Sequence, residues 1–263
     1  MFSPEPRESN QLEEANKKPP TAMEINLEQV DFKIIKDVLS NILDKCQVEK
    51  ERSEKISTEI IRKTNAGLQP HLLGWEGYYD PKKDQIVLSK TLSLEEKENF
   101  ITTLIHELVH AISDNLLSEI PGEQTVRVGL DEIKKSIFQY PFFSIENSGL
   151  NEGLTELLAE AVSLEYFRRS GEPIRDLRFL NEEVHLTDKA IVEVLTKSIA
   201  YRTGVSEDVV FKSLIRSMMN YDYDEFKKLL KDDPVLMDLV NKIKDLEVGE
   251  LEPFIRLSKK SRK

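Results

Sequence analysis

Apolar residues recur at helical spacing in four stretches of this 263-residue chain. The four stretches cover residues 27–66, 100–112, 154–161 and 187–248. The first predicts one or two amphipathic helices, and the second runs on without glycine or proline until Pro121. Sequence breakers divide the last stretch at Gly204, residues 220–223 and Pro234. The pattern therefore predicts a predominantly helical protein.

Two of these helices carry signals for where they begin. Ser93 followed by Glu96 reads as a capping box before the second stretch. Asn151 is a suitable N-cap for the third stretch, which we expect to reach about Arg169. In the last stretch, a helix is expected to begin near Thr187.

Strand signals are fewer and shorter. Residues 77–79 and 85–89 are typical of two strands, and residues 80–84 between them have the composition of a turn. Residues 127–130 and 142–145 have the composition of a hairpin or a flap. The fold class expected is α+β, with a small mixed sheet followed by a helical C-terminal half.

Composition narrows the function classes. The formal net charge is −11, which argues against non-specific binding to nucleic acid or to an anionic membrane. The basic residues at 259–263 are too few to reverse that balance. We expect residues 1–24 to be disordered, residues 25–250 to form one domain with an insert at 117–149, and residues 251–263 to form a basic tail.

The segments expected of exported or membrane proteins are missing from the pattern. No apolar stretch reaches the roughly twenty residues needed to span a bilayer. The first residues are polar and acidic, and the chain has one cysteine, Cys46, expected to be a buried thiol. These observations favour a cytoplasmic protein, with export by a route without a cleavable signal as the alternative. They do not specify an oligomeric state.

A His-Glu-Leu-Val-His pentad lies within the second helical stretch at residues 106–110. Two histidines four residues apart on a helix project from one face, so His106 and His110 can bind one metal ion. Glu107 can then reach water held on that ion. The alternative is a coincidental pentad whose histidines satisfy buried polar groups.

A catalytic zinc ion usually has three protein ligands and an open position for water, so a third ligand is required. Glu152 and Glu156 lie four residues apart on the downstream helix, and both carboxylates therefore project from one side. One can bind the metal, and the other can accept the second ring N–H of a ligating histidine. The alternative is a solvated acidic face, since Glu160 extends the same stripe.

Together, His-Glu-x-x-His at residues 106–110 and Asn-Glu-Gly-x-x-Glu at residues 151–156 resemble the gluzincin zinc metallopeptidases. The resemblance implies a zincin-like fold built around an active-site helix. The triplet at residues 151–153 is similar to that of the aminopeptidase branch. However, 41 residues separate His110 from Glu152, more than in the best-known branches, so the subfamily stays unresolved.

The same resemblance implies the cofactor and the residue roles. The cofactor would be Zn²⁺, and its protein ligands would be His106, His110 and Glu152. Glu156 would be the partner of a ligating histidine, and Glu107 the general base.

Further groups are needed for substrate and for the transition state. In related peptidases an edge strand before the metal helix pairs with the extended substrate, and residues 85–89 are the candidate, with an ordinary structural strand as the alternative. A proton donor to the developing oxyanion is typically Tyr, His or Arg, and His185, Tyr201 and Arg202 are the candidates. Each of the three is otherwise a structural residue.

The sequence thus predicts a zinc-dependent peptidase that acts on a peptide or protein substrate, with an endopeptidase favoured. One alternative is a non-catalytic zincin-fold protein that only binds a partner. A second alternative is a helical interaction protein without a metal. Zinc content and chelator-sensitive peptide hydrolysis distinguish the three.

Overall fold

The computed structural model describes most of the chain between residues 27 and 245, with gaps. The described residues are 27–48, 50–51, 54–56, 67–69, 76–81, 83–90, 97–113, 115–120, 123–128, 131–136, 144–146, 148–172, 183–220, 223–230 and 233–245. Three expectations lie outside these residues: the disordered segment 1–24, the capping box at 93–96 and the basic tail 251–263.

Seven helices make up most of the described structure, which confirms a predominantly helical α+β protein. They are α1 (Phe32–Lys45), α2 (Lys97–Ile112), α3 (Ser148–Ser170), α4 (Glu183–Thr203), α5 (Glu207–Asn220), α6 (Tyr223–Leu230) and α7 (Pro234–Asp245). Within the described residues, no helix is long and apolar enough to span a membrane.

The helix breaks predicted at Gly204 and Pro234 are confirmed, whereas two of the predicted helix starts are wrong. Gly204 adopts a positive φ of 74°, which glycine tolerates, and it ends α4. Pro234 opens α7, where its missing N–H would be unpaired in any case. However, Asn151 is not an N-cap, because α3 already begins at Ser148 and Asn151 lies buried within it. Helix α4 begins at Glu183 rather than near Thr187.

The predicted pair of strands is confirmed and belongs to a small mixed sheet. Its strands are β1 (Gly67–Gln69), β2 (Gly77–Asp80) and β3 (Gln85–Ser89), in the order β1-β3-β2. Strand β3 is parallel to β1 and antiparallel to β2.

The interpretation of residues 85–89 as an edge strand is wrong, because β3 is the central strand and is paired on both sides. Its uninterrupted apolar run of Ile86, Val87 and Leu88 is fully buried, which is typical of a central strand. Among the described residues the half-buried β2 is an edge of this sheet, and it packs against α2.

The insert between α2 and α3 forms a second sheet. Four strands follow one another in an antiparallel meander: β4 (Asn115–Ile120), β5 (Glu123–Val128), β6 (Asp131–Ser136) and β7 (Ser144–Glu146). Of the two segments expected to form a hairpin, residues 127–128 lie in β5 and residues 144–145 in β7, and these strands do not pair because β6 lies between them. Residues 129–130 and 142–143 lie outside the described residues. That the insert covers a cleft stays a prediction.

Helix α2 lies at the centre of the fold. It packs against β2 and β3 on one side and against α3 on the other, and α3 in turn packs against α1 and α4. Every residue of α2 from Leu104 to Ile112 is buried, including the polar ones. Burial on several sides fixes the helix position, so the side chains of the pentad project from a rigid element.

Candidate metal centre

Helix α2 holds the two histidines of the pentad side by side. His106 and His110 are one helical turn apart, and their ring centroids are 4.9 Å apart with an interplanar angle of 69°. Their Nε2 atoms are 3.1 Å apart. Both residues are buried, at 9% and 8% exposure, so the two nitrogens are largely removed from water.

Helix α3 brings a carboxylate to the same point. Oε2 of Glu152 lies 3.4 Å from Nε2 of His106 and 3.3 Å from Nε2 of His110. The Glu152 side chain is 28% exposed, more than either histidine, so the site opens to solvent on this side. The structure thus assembles His106, His110 and Glu152 into a group that can hold a metal ion.

The triangle of donor atoms has the dimensions of a metal site. Bonds of about 2.0–2.2 Å to nitrogen and oxygen place two ligands of a tetrahedral zinc roughly 3.3–3.6 Å apart. The two edges to Glu152 measure 3.4 and 3.3 Å, and the edge between the histidines is slightly shorter at 3.1 Å. Two imidazoles and one carboxylate are also a donor set for transition metals rather than for calcium or magnesium, which prefer oxygen.

Glu156 fixes the tautomer of His106. Nδ1 of His106 lies 2.8 Å from Oε2 of Glu156, whose side chain is 5% exposed. In the neutral ring, an N–H at Nδ1 donates to this carboxylate and leaves the lone pair at Nε2 directed to the donor triangle. The alternative of a solvated acidic face is therefore wrong for Glu156, and Glu160 is paired with Lys189 rather than with the site.

The position of Glu152 depends on how closely α3 approaches α4. A Cβ at Gly153 would overlap the backbone carbonyl of Asp188 on α4 and would lie 2.8 Å from Cγ2 of Val192. A Cβ at Gly149, one turn earlier, would lie 2.9 Å from Cδ1 of Ile191. The absence of side chains at these glycines allows the two helices to pack with their backbones close together, next to the candidate ligand.

Glu107 lies between α2 and the mixed sheet. It is 7% exposed, and it accepts a hydrogen bond from the backbone N–H of Tyr79 on β2. A Cβ at Gly77, on the same strand, would lie 3.2 Å from Cγ of Glu107. The carboxylate of Glu107 is therefore held by the strand backbone, on the residue between the two candidate ligands.

Three electron-rich atoms, Nε2 of His106, Nε2 of His110 and Oε2 of Glu152, lie close together, and this proximity shifts the pKa values of the site. Burial disfavours the charged imidazole of His106, but hydrogen bonds to Glu152 and Glu156 outweigh it, and the pKa of His106 lies well above its usual value. Burial also acts against ionisation of Glu152, but attraction to His110 and hydrogen bonds from both histidines hold its pKa well below the usual value.

The carboxyl group of Glu107 behaves in the opposite sense. Burial raises its pKa, and the charges of His106 and His110 offset only part of this effect. A carboxylate with a raised pKa is a better proton acceptor near neutral pH than a solvated one. The arrangement therefore combines a set of metal donors with a buried base beside them.

The three candidate proton donors lie at different points along α4. His185 is in the first turn of α4, three residues before Asp188, whose backbone packs against Gly153. Tyr201 lies 13 residues beyond Asp188, about 20 Å along the helix axis, and its side chain is 90% exposed. Arg202 is paired with Asp233 at 2.7 Å.

Several residues that shape the site are glycines or act through their backbone, and sequence reasoning missed them. The sequence pattern places Gly77 and Tyr79 only in a strand, and it places Gly153 only in a motif triplet. Its position directly after a candidate ligand was a usable signal, because glycine within a helix lowers stability unless close packing requires it. Cys46 is a buried free thiol, as predicted.

No family model, curated protein or solved structure matches this chain. The similarity to gluzincins thus rests on the two motifs at residues 106–110 and 151–156.

Proposed function

We propose that this protein is a zinc-dependent peptidase of gluzincin type with a zincin-like fold. The observation that carries the proposal is the convergence of Nε2 of His106, Nε2 of His110 and Oε2 of Glu152 within 3.4 Å of one another. A second acid, Glu156, orients one ligand, and a third, Glu107, lies buried beside the donors. This is the set of roles that metal-assisted hydrolysis requires.

Zinc is the metal of the proposal, because a buried base beside two histidines and one carboxylate is the arrangement of a hydrolytic zinc site. Two histidines and one carboxylate are also the donor set of non-haem iron(II) sites, whose octahedral geometry places neighbouring ligands about 3.0 Å apart. The three edges of the donor triangle, at 3.1, 3.3 and 3.4 Å, lie between the values for the two geometries. Elemental analysis of purified protein separates the two, since it reports zinc and iron directly.

His106, His110 and Glu152 would hold the ion, and zinc bound there would supply Lewis acidity and acidify a water molecule. Each residue of the chain then has one task. Glu156 keeps the Nδ1 proton on His106, so that Nε2 carries the lone pair. Glu107 accepts a proton from the attacking water and transfers it to the departing amine nitrogen.

The edge strand β2 is the proposed site for the substrate backbone, in place of β3. The Ser89 N–H donates to the Glu76 carbonyl at 2.7 Å, so this residue pair is hydrogen-bonded across β2 and β3. Alternate residues of an antiparallel strand face opposite edges, so the N–H and C=O groups of Gly77 point away from β3, on the same side as the Tyr79 N–H that donates to Glu107. An extended peptide bound along this edge would pass beside Glu107.

We propose His185 as the oxyanion donor, because its backbone lies at the end of α4 that packs against Gly153. Tyr201 is not part of the proposal, since its side chain is exposed and distant along the helix. An endopeptidase and an exopeptidase are distinguished by the products. A peptide library analysed by mass spectrometry reports whether cleavage is internal or terminal.

The test of the proposed function is the variant Glu107→Gln, which retains the shape of the side chain but cannot accept the proton. We expect hydrolysis of library peptides to fall by at least about 100-fold, while the zinc content stays at the wild-type level. The matched control is Glu165→Gln, the same charge change at a site paired with Arg168 and Arg169. Full hydrolysis by Glu107→Gln would remove the mechanism. Zinc without hydrolysis in the wild-type protein would leave a non-catalytic zincin-fold binding protein.

A further inference from the structure

Strand β2 passes unusually close to the side chain of the proposed base. A Cβ built on Gly77 would lie 3.2 Å from Cγ of Glu107, 3.1 Å from Cγ2 of Thr103 and 2.9 Å from Cδ2 of Leu88. Contacts this short require the neighbours to move. Gly77 is the point on β2 where the strand backbone lies directly against α2.

The backbone conformation does not explain why this residue is a glycine. Among the described residues, the glycines with positive φ are Gly171 and Gly204, so Gly77 has a conformation that other residues can adopt. Glycine also weakens a strand, because it costs backbone entropy and packs no side chain. Space for the side chains on α2 is therefore the physical reason for glycine at this position.

Two residues further along, the same strand supplies a hydrogen-bond donor. The register that pairs Tyr79 with Ile86 directs the Tyr79 N–H away from β3, and this N–H donates to the Glu107 carboxylate. Gly77 and Tyr79 face the same side of the strand, one beside Cγ of Glu107 and the other beside its carboxylate.

We propose that β2 acts as a positioning template for Glu107: Gly77 leaves the gap that the side chain occupies, and the Tyr79 N–H orients the carboxylate. This inference rests on the proposed function, in which Glu107 is the base. Glu107 touches the reacting atoms, whereas Gly77 and Tyr79 act through it. Because a displacement of 1 Å at a catalytic group can cost about 100-fold in rate, the gap at Gly77 has a measurable consequence.

The first experiment measures steady-state kinetics and zinc content of Gly77→Ala, Leu88→Val and the double variant. We expect kcat of Gly77→Ala to fall by about tenfold or more, while KM and zinc content change by less than twofold. Leu88→Val removes the Leu88 methyl group nearest to the new Cβ but leaves the contact with Glu107. The double variant should therefore stay as slow as Gly77→Ala, and Leu88→Val alone should have wild-type kcat.

The kinetic result can overturn the inference in two ways. Unchanged kcat in Gly77→Ala would show that the gap does not position the base. Recovery of kcat in the double variant would show that the defect came from packing against Leu88 and not from Glu107. A loss of zinc equal to the loss of kcat would also contradict the inference, because it would place the effect on the ligands.

The second experiment does not need activity, so it separates this inference from the proposed function. Hydrogen exchange is followed by NMR in protein labelled with ¹⁵N at its 7 tyrosines. Glu107→Gln retains an oxygen that can accept the Tyr79 N–H, whereas Glu107→Ala does not. We expect the Tyr79 amide to exchange at least tenfold faster in Glu107→Ala than in Glu107→Gln, with the Tyr166 amide in α3 as internal reference. Equal exchange rates of Tyr79 in the two variants would overturn the inference, whether or not the wild-type protein hydrolyses peptides.

Discussion

Removing the acid that orients His106 should weaken metal binding without removing a ligand. Glu156 is 4% exposed, and its Oε2 atom lies 2.8 Å from Nδ1 of His106. In the variant Glu156→Ala, the ring N–H at Nδ1 keeps no carboxylate partner in a buried position. His106 is then free to rotate or to change tautomer, and its Nε2 lone pair is no longer fixed toward Glu152 and His110.

The size of the effect follows from the contact itself. Mutation of such outer partners typically costs 10- to 100-fold in metal affinity, about 1.4 to 2.8 kcal/mol. The bond from His106 is short, buried and made to a carboxylate, which places Glu156→Ala in the upper half of that range, about 30- to 100-fold. Glu156→Gln can still accept the N–H through its amide oxygen, so we expect a loss of about tenfold or less.

The assay is competition between the protein and a chromophoric zinc chelator at fixed pH. Glu165→Gln is the matched control on the same helix, because Glu165 is ionised, with a pKa lowered to about 2 by its hydrogen bonds to Arg168 and Arg169. The control removes the same charge and should leave the zinc Kd unchanged. A Kd for Glu156→Ala within twofold of the wild-type value would refute the role assigned to Glu156.

Three further predictions concern the packing, the pH dependence and the proton donor. Gly153→Ala should lower the free energy of unfolding by about 1–3 kcal/mol, measured in urea, and weaken zinc binding, because the new Cβ overlaps α4; wild-type affinity would contradict the positioning of Glu152. In chelator-treated protein, the raised pKa of His106 contributes stability below its unfolded value of 6.5 that is lost as pH rises, and the lowered pKa of Glu152 contributes stability above 4.5 that is lost as pH falls. Urea unfolding should thus show greatest stability between these values, and a steady rise in stability to pH 9 would be the opposite result. Tyr201→Phe should keep kcat within twofold while His185→Gln lowers it by about tenfold or more; the reverse order would reassign the donor.

The local patterns were sufficient to predict which segments are helical and where several of them end. Gly204 ends a helix through its own positive φ, and Pro234 begins one because it lacks an N–H. Both effects are local, so they can be predicted without knowing the fold. The apolar repeat of α2 predicted its burial for the same reason, since helical spacing directly determines which side chains share a face.

Strand order and helix starts were harder, because they depend on partners distant in sequence. Strand β3 is central because β1 (Gly67–Gln69), which lies 16 residues earlier in the chain, pairs with the edge of β3 that β2 leaves open. The start of α3 at Ser148 could not be read from Asn151, whose side chain is buried within the helix instead of capping it. A side chain that can cap is also one that can be buried, and only packing decides between the two.

The candidate metal ligands could be predicted from the sequence, whereas the residues that position the side chains around them could not. His106, His110 and Glu152 are recognisable because metal ligation requires particular side chains at particular spacings. Gly77 acts by having no side chain and Tyr79 through its backbone N–H, so neither leaves a chemical signature in the sequence. Such contacts are visible only once two elements have been placed against each other.

The most direct test of the central claim is the zinc content of wild-type protein and Glu152→Ala, measured by mass spectrometry of the element after dialysis against a weak chelator. If His106, His110 and Glu152 bind one ion together, the wild-type protein should retain about one zinc per chain and the variant less than about a tenth of that. Wild-type protein that retains no zinc, or a variant that retains as much as the wild type, would contradict the account.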